Sequence, residues 1–169
     1  MRIYCPPATV ATVLNIWCSV ACLLLGLSLN ALSQTLTIGS AGDTGSSGTN
    51  WTTSGSSPVK IIFTGTASIN KSVIEGLLAT DNVAIEAGTG GQAISITAAI
   101  SSTSTNTLTV GSATNTNAVT ISGAISTAAP LVIQGGLITI SSNLATSNSS
   151  AISLFAKSGL RFGNAGITL

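Results

Sequence analysis

Three segments of the chain share one alternation. ISITAAI at residues 94–100, VTISGAI at 119–125 and ITISSNL at 138–144 each run apolar, hydroxyl, apolar, hydroxyl, two small or polar residues, apolar. Their first residues, Ile94, Val119 and Ile138, lie 25 and then 19 residues apart. A second series, VAI at 83–85, LTV at 108–110, LVI at 131–133 and ISL at 152–154, is offset by 25, 23 and 21 residues. The repeating unit is therefore about two dozen residues and carries two short strands. A period of 2 puts Ile94 and Ile96 on one face and Ser95 and Thr97 on the other. The β-branched residues suit such pleated positions. Between the strands lie Gly-, Ser-, Thr- and Asn-rich turns, among them residues 88–91 and 111–117.

A lone unit of this kind has one apolar stripe and nothing to cover it, whereas stacked units close a core. The pattern predicts an all-β chain folded as a right-handed parallel β-helix, a β-solenoid of about five coils over residues 59–169. Hydroxyls at equivalent places would then stack into Ser/Thr columns along the axis. A β-sandwich of hairpins also suits short strands with regular turns. It accounts less well for one apolar pattern that recurs unchanged, and for connections longer than tight hairpins need. Residues 34–58 read as a Gly/Ser/Thr-rich lead-in. One segment departs from the alternation: Ile69, Val73, Ile74, Leu77 and Leu78 are at helical spacing. A short helix is expected near residues 69–79, with Ser72 and Glu75 in the form of a capping box. Such a helix would either cover the open end of the coil stack or lie in a surface loop.

Ahead of these repeats, Arg2 is followed by no charged residue until Asp43, and the run between is densely apolar from Val20 to Leu32. A basic start, an apolar run and a small-residue site describe a secretory signal peptide over residues 1–33. Ala31 and Ser33 supply the small residues and place cleavage before Gln34. The alternative is a retained signal anchor, since the run is long enough to span a bilayer. Cys5, Cys18 and Cys22 all fall in this leader. The exported part would be held by backbone pairing and apolar burial instead of disulfides.

Composition narrows the functions further. The chain has no His, and its acids are Asp43, Glu75, Asp81 and Glu86. Its bases are Arg2, Lys60, Lys71, Lys157 and Arg161. Acid–base and metal chemistry draw on these scarce residue types, so no catalytic, metal or cofactor residues are assigned and an enzyme is not expected. A net charge of +1 gives no reason to expect nucleic acid as a partner. The 44% hydrophobic content argues against disorder.

Two motifs point elsewhere. Asp43-Thr44-Gly45-Ser46-Ser47 matches the aspartic-protease phrase, a chemistry that needs two carboxylates sharing a proton. One chain holds no second copy, which leaves a homodimer using one Asp43 from each chain as a remote alternative. The plain reading is a Gly/Ser/Asp turn. Ice binding is the other alternative: Thr107-Leu108-Thr109, Thr120-Ile121-Ser122 and Thr139-Ile140-Ser141 would supply ranks of hydroxyls. Uneven spacing of the repeats predicts an uneven face.

From residue 67 to 160 the chain resembles the filamentous-haemagglutinin-like repeat proteins, and most of all the large β-strand-repeat surface adhesins of the Bacteroidetes type. NVAIEA at 82–87, LTV at 108–110 and PLVIQGGLITI at 130–140 carry the resemblance. It implies a secreted or outer-surface adhesive module with no cofactor. Its partner would be a host or neighbouring cell surface, a glycan or a matrix ligand. A membrane would be met only through the leader during export. Such proteins are usually longer, so the repeats are expected to continue past Leu169.

Overall fold

The computed structural model describes residues 34–88, 92–114, 116–163 and 166–169. The leader expected over residues 1–33, its cysteines included, lies outside them, as do residues 89–91 of the expected Gly-rich turn. The protein is all-β with one short helix. In chain order the elements are β1 (Thr35–Gly39), β2 (Ser47–Gly48), β3 (Trp51–Ser54), β4 (Val59–Phe63), β5 (Ala67–Asn70), α1 (Lys71–Leu78), β6 (Val83–Ala87) and β7 (Ala93–Ile96). They continue with β8 (Ile100–Ser102), β9 (Leu108–Val110), β10 (Val119–Ile121), β11 (Ile125–Thr127), β12 (Leu131–Ile140), β13 (Leu144–Thr146) and β14 (Ile152–Phe162).

Pairing is parallel between strands of successive repeats. β4, β6, β9 and β12 neighbour one another in that order, with Val59, Val83, Leu108 and Leu131 in register. β7, β10 and β12 form a second run, with Ile94, Val119 and Ile138 in register. β8, β11 and β13 form a separate three-stranded sheet, with Ile100, Ile125 and Leu144 in register. β12 serves two rungs: its first residues lie beside β9 and its last beside β10. β14 follows β12 along its length, with one register shift at Gly135/Leu137. Through β12 the large sheet bends back on itself into a nearly closed, barrel-like form.

The core follows the alternation. Ile94, Ile96, Ile100, Val119, Ile121, Ile125, Ile138, Ile140 and Leu144 are all buried, joined by Leu108, Val110, Leu131 and Ile133. Connections of unequal length are taken up at the corners. Eight residues separate β9 from β10, whereas β12 crosses the same corner as continuous strand. The strands on either side keep their register.

Residues 34–58, expected as a lead-in, contribute to the same sheet. β1 inserts between β5 and β7, with Leu36 beside both Ala67 and Ile94. β2 and β3 form the antiparallel end of the sheet, β3 lying on β4 with Trp51 opposite Phe63. Both aromatics are buried.

The helix lies where its apolar spacing puts it and buries Val73, Ile74 and Leu78. Its cap differs from the expected Ser72–Glu75 box. Asn70 is the N-cap: its side-chain oxygen accepts from the Ser72 N–H at 3.0 Å. An Asn side chain reaches the N2 amide as readily as a Ser does. Glu75 is thereby free to turn away, holding the Lys71 ammonium at 2.8 Å and accepting from the Ser101 N–H at 3.0 Å. Ser101 sits in β8, the outer strand of the three-stranded sheet. At the other helix end, Ser104 Oγ and Asn106 Nδ2 both donate to the Leu78 carbonyl. The helix covers an open strand edge, the liability that unpaired edges otherwise present.

Candidate functional site

Along β5, β1, β7, β10 and β12 the inward positions are buried, and every second residue points outward, while the outermost strand β14 leaves its inward Leu160 and Phe162 exposed. Registers place Ser68 beside Thr37, Thr37 beside Ser95, Ser95 beside Thr120, Thr120 beside Thr139, and Thr139 beside Arg161. Five hydroxyls thus stand in one rank across six parallel strands, with an arginine at its end. The strands bring together residues from distant parts of the sequence, because β1 fills the rung between β5 and β7.

Two residues further along each strand runs a second line. Asn70 lies beside Gly39. The line continues through Thr97, Ser122 and Ser141, whose amides donate to the carbonyls of Ile38, Ile96 and Ile121 at 2.9, 2.9 and 2.7 Å. Thr97 Oγ1 and Ser122 Oγ also return to the Ile38 and Ile96 carbonyls, at 3.2 and 3.3 Å. These hydroxyls are held by the neighbouring rung. In contrast, no intramolecular hydrogen bond engages the hydroxyls of Ser68, Thr37, Ser95, Thr120 or Thr139 among the described residues. Their bonding capacity faces outward.

The expected trio of hydroxyl pairs is only partly brought together. Thr120-Ile121-Ser122 and Thr139-Ile140-Ser141 are adjacent. Thr107-Leu108-Thr109 belongs to the other run, where Thr109 lies between Ala84 and Val132. Offsets of 25 and 19 residues nevertheless end in the same register, so Ser95, Thr120 and Thr139 stay in line. Ser68, Thr37 and Ser95 were missing from the ranks read off the sequence. Period-2 alternation marked Ser95 as outward but could not name its neighbours, while Thr37 lay in the expected lead-in and Ser68 at the edge of the expected helical segment.

Most of the described charged groups are tied up elsewhere. Lys60 pairs with Glu86 at 3.2 Å across β4 and β6, and Lys71 pairs with Glu75 on α1. The Asp81 carboxylate accepts from the Thr80 hydroxyl. Asp43 extends the sheet by one bridge beyond β5, its N–H donating to the Ser68 carbonyl and its C=O accepting from the Asn70 N–H. Its carboxylate accepts from the buried Trp51 indole N–H at 2.8 Å. A Cβ on Gly48 would fall 1.9 Å from that carboxylate, so a glycine is needed there. In this chain Asp43 fastens β3 over the end of the sheet. Among the described residues no group of three or more His, Cys, Asp or Glu is placed to hold a metal ion. No described helix is long and apolar enough to cross a membrane.

The chain matches no family model, no curated protein and no solved structure.

Proposed function

We propose that this chain is a segment of a right-handed parallel β-solenoid, exported and displayed at a bacterial cell surface as a non-catalytic structural and adhesive module. The observation that carries the reading is the parallel pairing of strands one repeat apart, which recurs along three separate runs. A chain whose successive repeats pair in parallel advances by one strand spacing per turn, as a solenoid does. Right-handedness is expected because parallel crossover connections adopt that hand in about 98% of cases. Export is supported by the leader pattern over residues 1–33, and adhesion by the resemblance to filamentous-haemagglutinin-like repeats. Contact would be spread over an extended surface, where many weak contacts act together. Acids and bases are scarce, and each of the four acids has a partner within the fold, which fits a module without catalysis. The Trp51 indole donating to Asp43 supports a structural role for that carboxylate.

Immunoblotting of fractionated source cells with an antibody to residues 82–156 tests the proposal. The antigen is expected in the surface fraction and is expected to disappear when intact cells are treated with protease. A protease-resistant pool confined to the cytoplasm would overturn export and, with it, adhesion.

A further inference from the structure

The hydroxyl face has the properties of a surface built for an uncharged, ordered, hydrogen-bonding partner, and we propose that this partner is ice. The inference rests on the stacked-rung reading above and names its target. Four observations carry it.

First, the rank is continuous: Ser68, Thr37, Ser95, Thr120 and Thr139 follow one another strand by strand. Neighbouring strands are spaced by about 4.8 Å, and alternate residues along a strand by about 6.6 Å. On β7, β10 and β12 the two lines (Ser95 and Thr97, Thr120 and Ser122, Thr139 and Ser141) therefore form a rectangular net of oxygens whose repeats are comparable to those between oxygen rows of an ice surface, while on β1 and β5 the second line passes through Gly39 and the capping Asn70 and only the first line carries hydroxyls.

Second, the net is rigid. The inward neighbours Ile38, Ile69, Ile96, Ile121 and Ile140 are fully buried. Thr97 and Ser122 are tied to the adjoining rung. Threonine side chains are stiff about χ1, so little freedom remains to be lost on adsorption.

Third, no acid or base interrupts the net between Asp43 and Arg161, which lie at its two ends. Charged groups order water about themselves in ways that a neutral lattice does not match. Fourth, the face carries no aromatic platform. Trp51 and Phe63 are buried, and exposed Phe155 and Phe162 belong to β14 outside the hydroxyl ranks. A sugar-binding face would be expected to present aromatic rings with one apolar surface and a polar rim. Threonine methyls and hydroxyls suit water held in a lattice instead.

The test uses the intact chain as secreted, with two variants of equal bulk. Thr120→Tyr puts a large side chain at the centre of the rank, and Thr109→Tyr puts one on the other run. Both positions are outward and half-buried, so both variants should melt close to the parent, which circular dichroism checks. The parent is expected to partition into a slowly growing ice hemisphere and to show thermal hysteresis. Thr120→Tyr should lose most of both, and Thr109→Tyr should keep them. A folded parent that is excluded from ice and shows no hysteresis overturns the inference. So does a Thr120→Tyr variant that performs as well as the parent. If the parent is excluded from ice yet binds insoluble β-glucan, and Thr120→Tyr does not, the face belongs to a polysaccharide and ice is overturned. A chain that adsorbs to ice but is found only in the cytoplasm would instead sink export alone.

Discussion

Ile121→Asp is expected to destabilise the protein by an amount on the order of 4 kcal/mol, enough to remove much of the stability of a domain this size. Ile121 is fully buried, and its register neighbours Ile96 and Ile140 are buried too. A carboxylate there would have apolar side chains on each adjoining rung and no described base to pair with. It must either ionise without compensation or take up a proton and still lack hydrogen-bond partners. Thr120→Asp, one residue earlier, points to solvent between Ser95 and Thr139. It should cost no more than about 1 kcal/mol, as surface changes usually do. Thermal melting separates the two. Similar melting temperatures for both variants would contradict the assignment of inward and outward faces.

Gly111→Ala should cost about 3 kcal/mol, from two sources acting together. Gly111 closes β9 with φ at +84°, where a side chain is strained. Its N–H donates to the Ile85 carbonyl at 2.8 Å, which prevents the residue from swinging away. A Cβ would also meet the Gln134 carbonyl oxygen of the next repeat at 1.9 Å. That oxygen belongs to the backbone of β12 and can yield only if the strand moves. Gly76→Ala provides the opposite outcome. Gly76 lies on the exposed side of α1, and nothing stands within 4 Å of the added carbon. Relief of a helical glycine should stabilise by up to about 1 kcal/mol. Opposite shifts in the denaturant midpoint are expected for the two variants. Equal shifts would mean that the Gly111 turn is not packed against the next repeat.

What was legible in the sequence was the inward face. Each Ile or Val at alternate positions of 94–100, 119–125 and 138–144 is buried, because a two-residue period allows only two sides and water selects between them. The helix was legible for a similar reason, from apolar residues at helical spacing. Its start was less so. Asn70 and Ser72 are both good caps, and the choice fell to a tertiary contact, since Glu75 is drawn to Lys71 and to the open amide of Ser101.

Strand order was not legible for β1. Leu36 and Ile38 carry the same alternation as every other rung, so the pattern says which way they point and not where they insert. Their place beside Ile69 and Ile96 depends on edges that come from residues about 30 and 60 positions later. The same limit hid the full hydroxyl rank. Thr109 and Thr120 look alike in sequence, yet the corner between β9 and β10 sends them to different runs. The partner of Asp43 was hidden in another way. The residues after Asp43 spell a catalytic phrase, while its indole partner lies eight residues ahead in a strand too short to be recognised by alternation.

The stacking of successive repeats in register is the claim on which the solenoid reading and the hydroxyl rank both depend. Disulfide trapping tests it most directly, in a chain with Cys5, Cys18 and Cys22 changed to Ser. Paired residues on neighbouring strands bring their Cα atoms within about the 4.4–6.8 Å that a disulfide accepts. Thr120→Cys with Thr139→Cys is expected to oxidise readily within one molecule, and so is Ser95→Cys with Thr120→Cys. Thr109→Cys with Thr120→Cys, closer in sequence than either, should remain reduced. Crosslinking of the 109–120 pair with neither of the others would contradict parallel stacking and the face built on it.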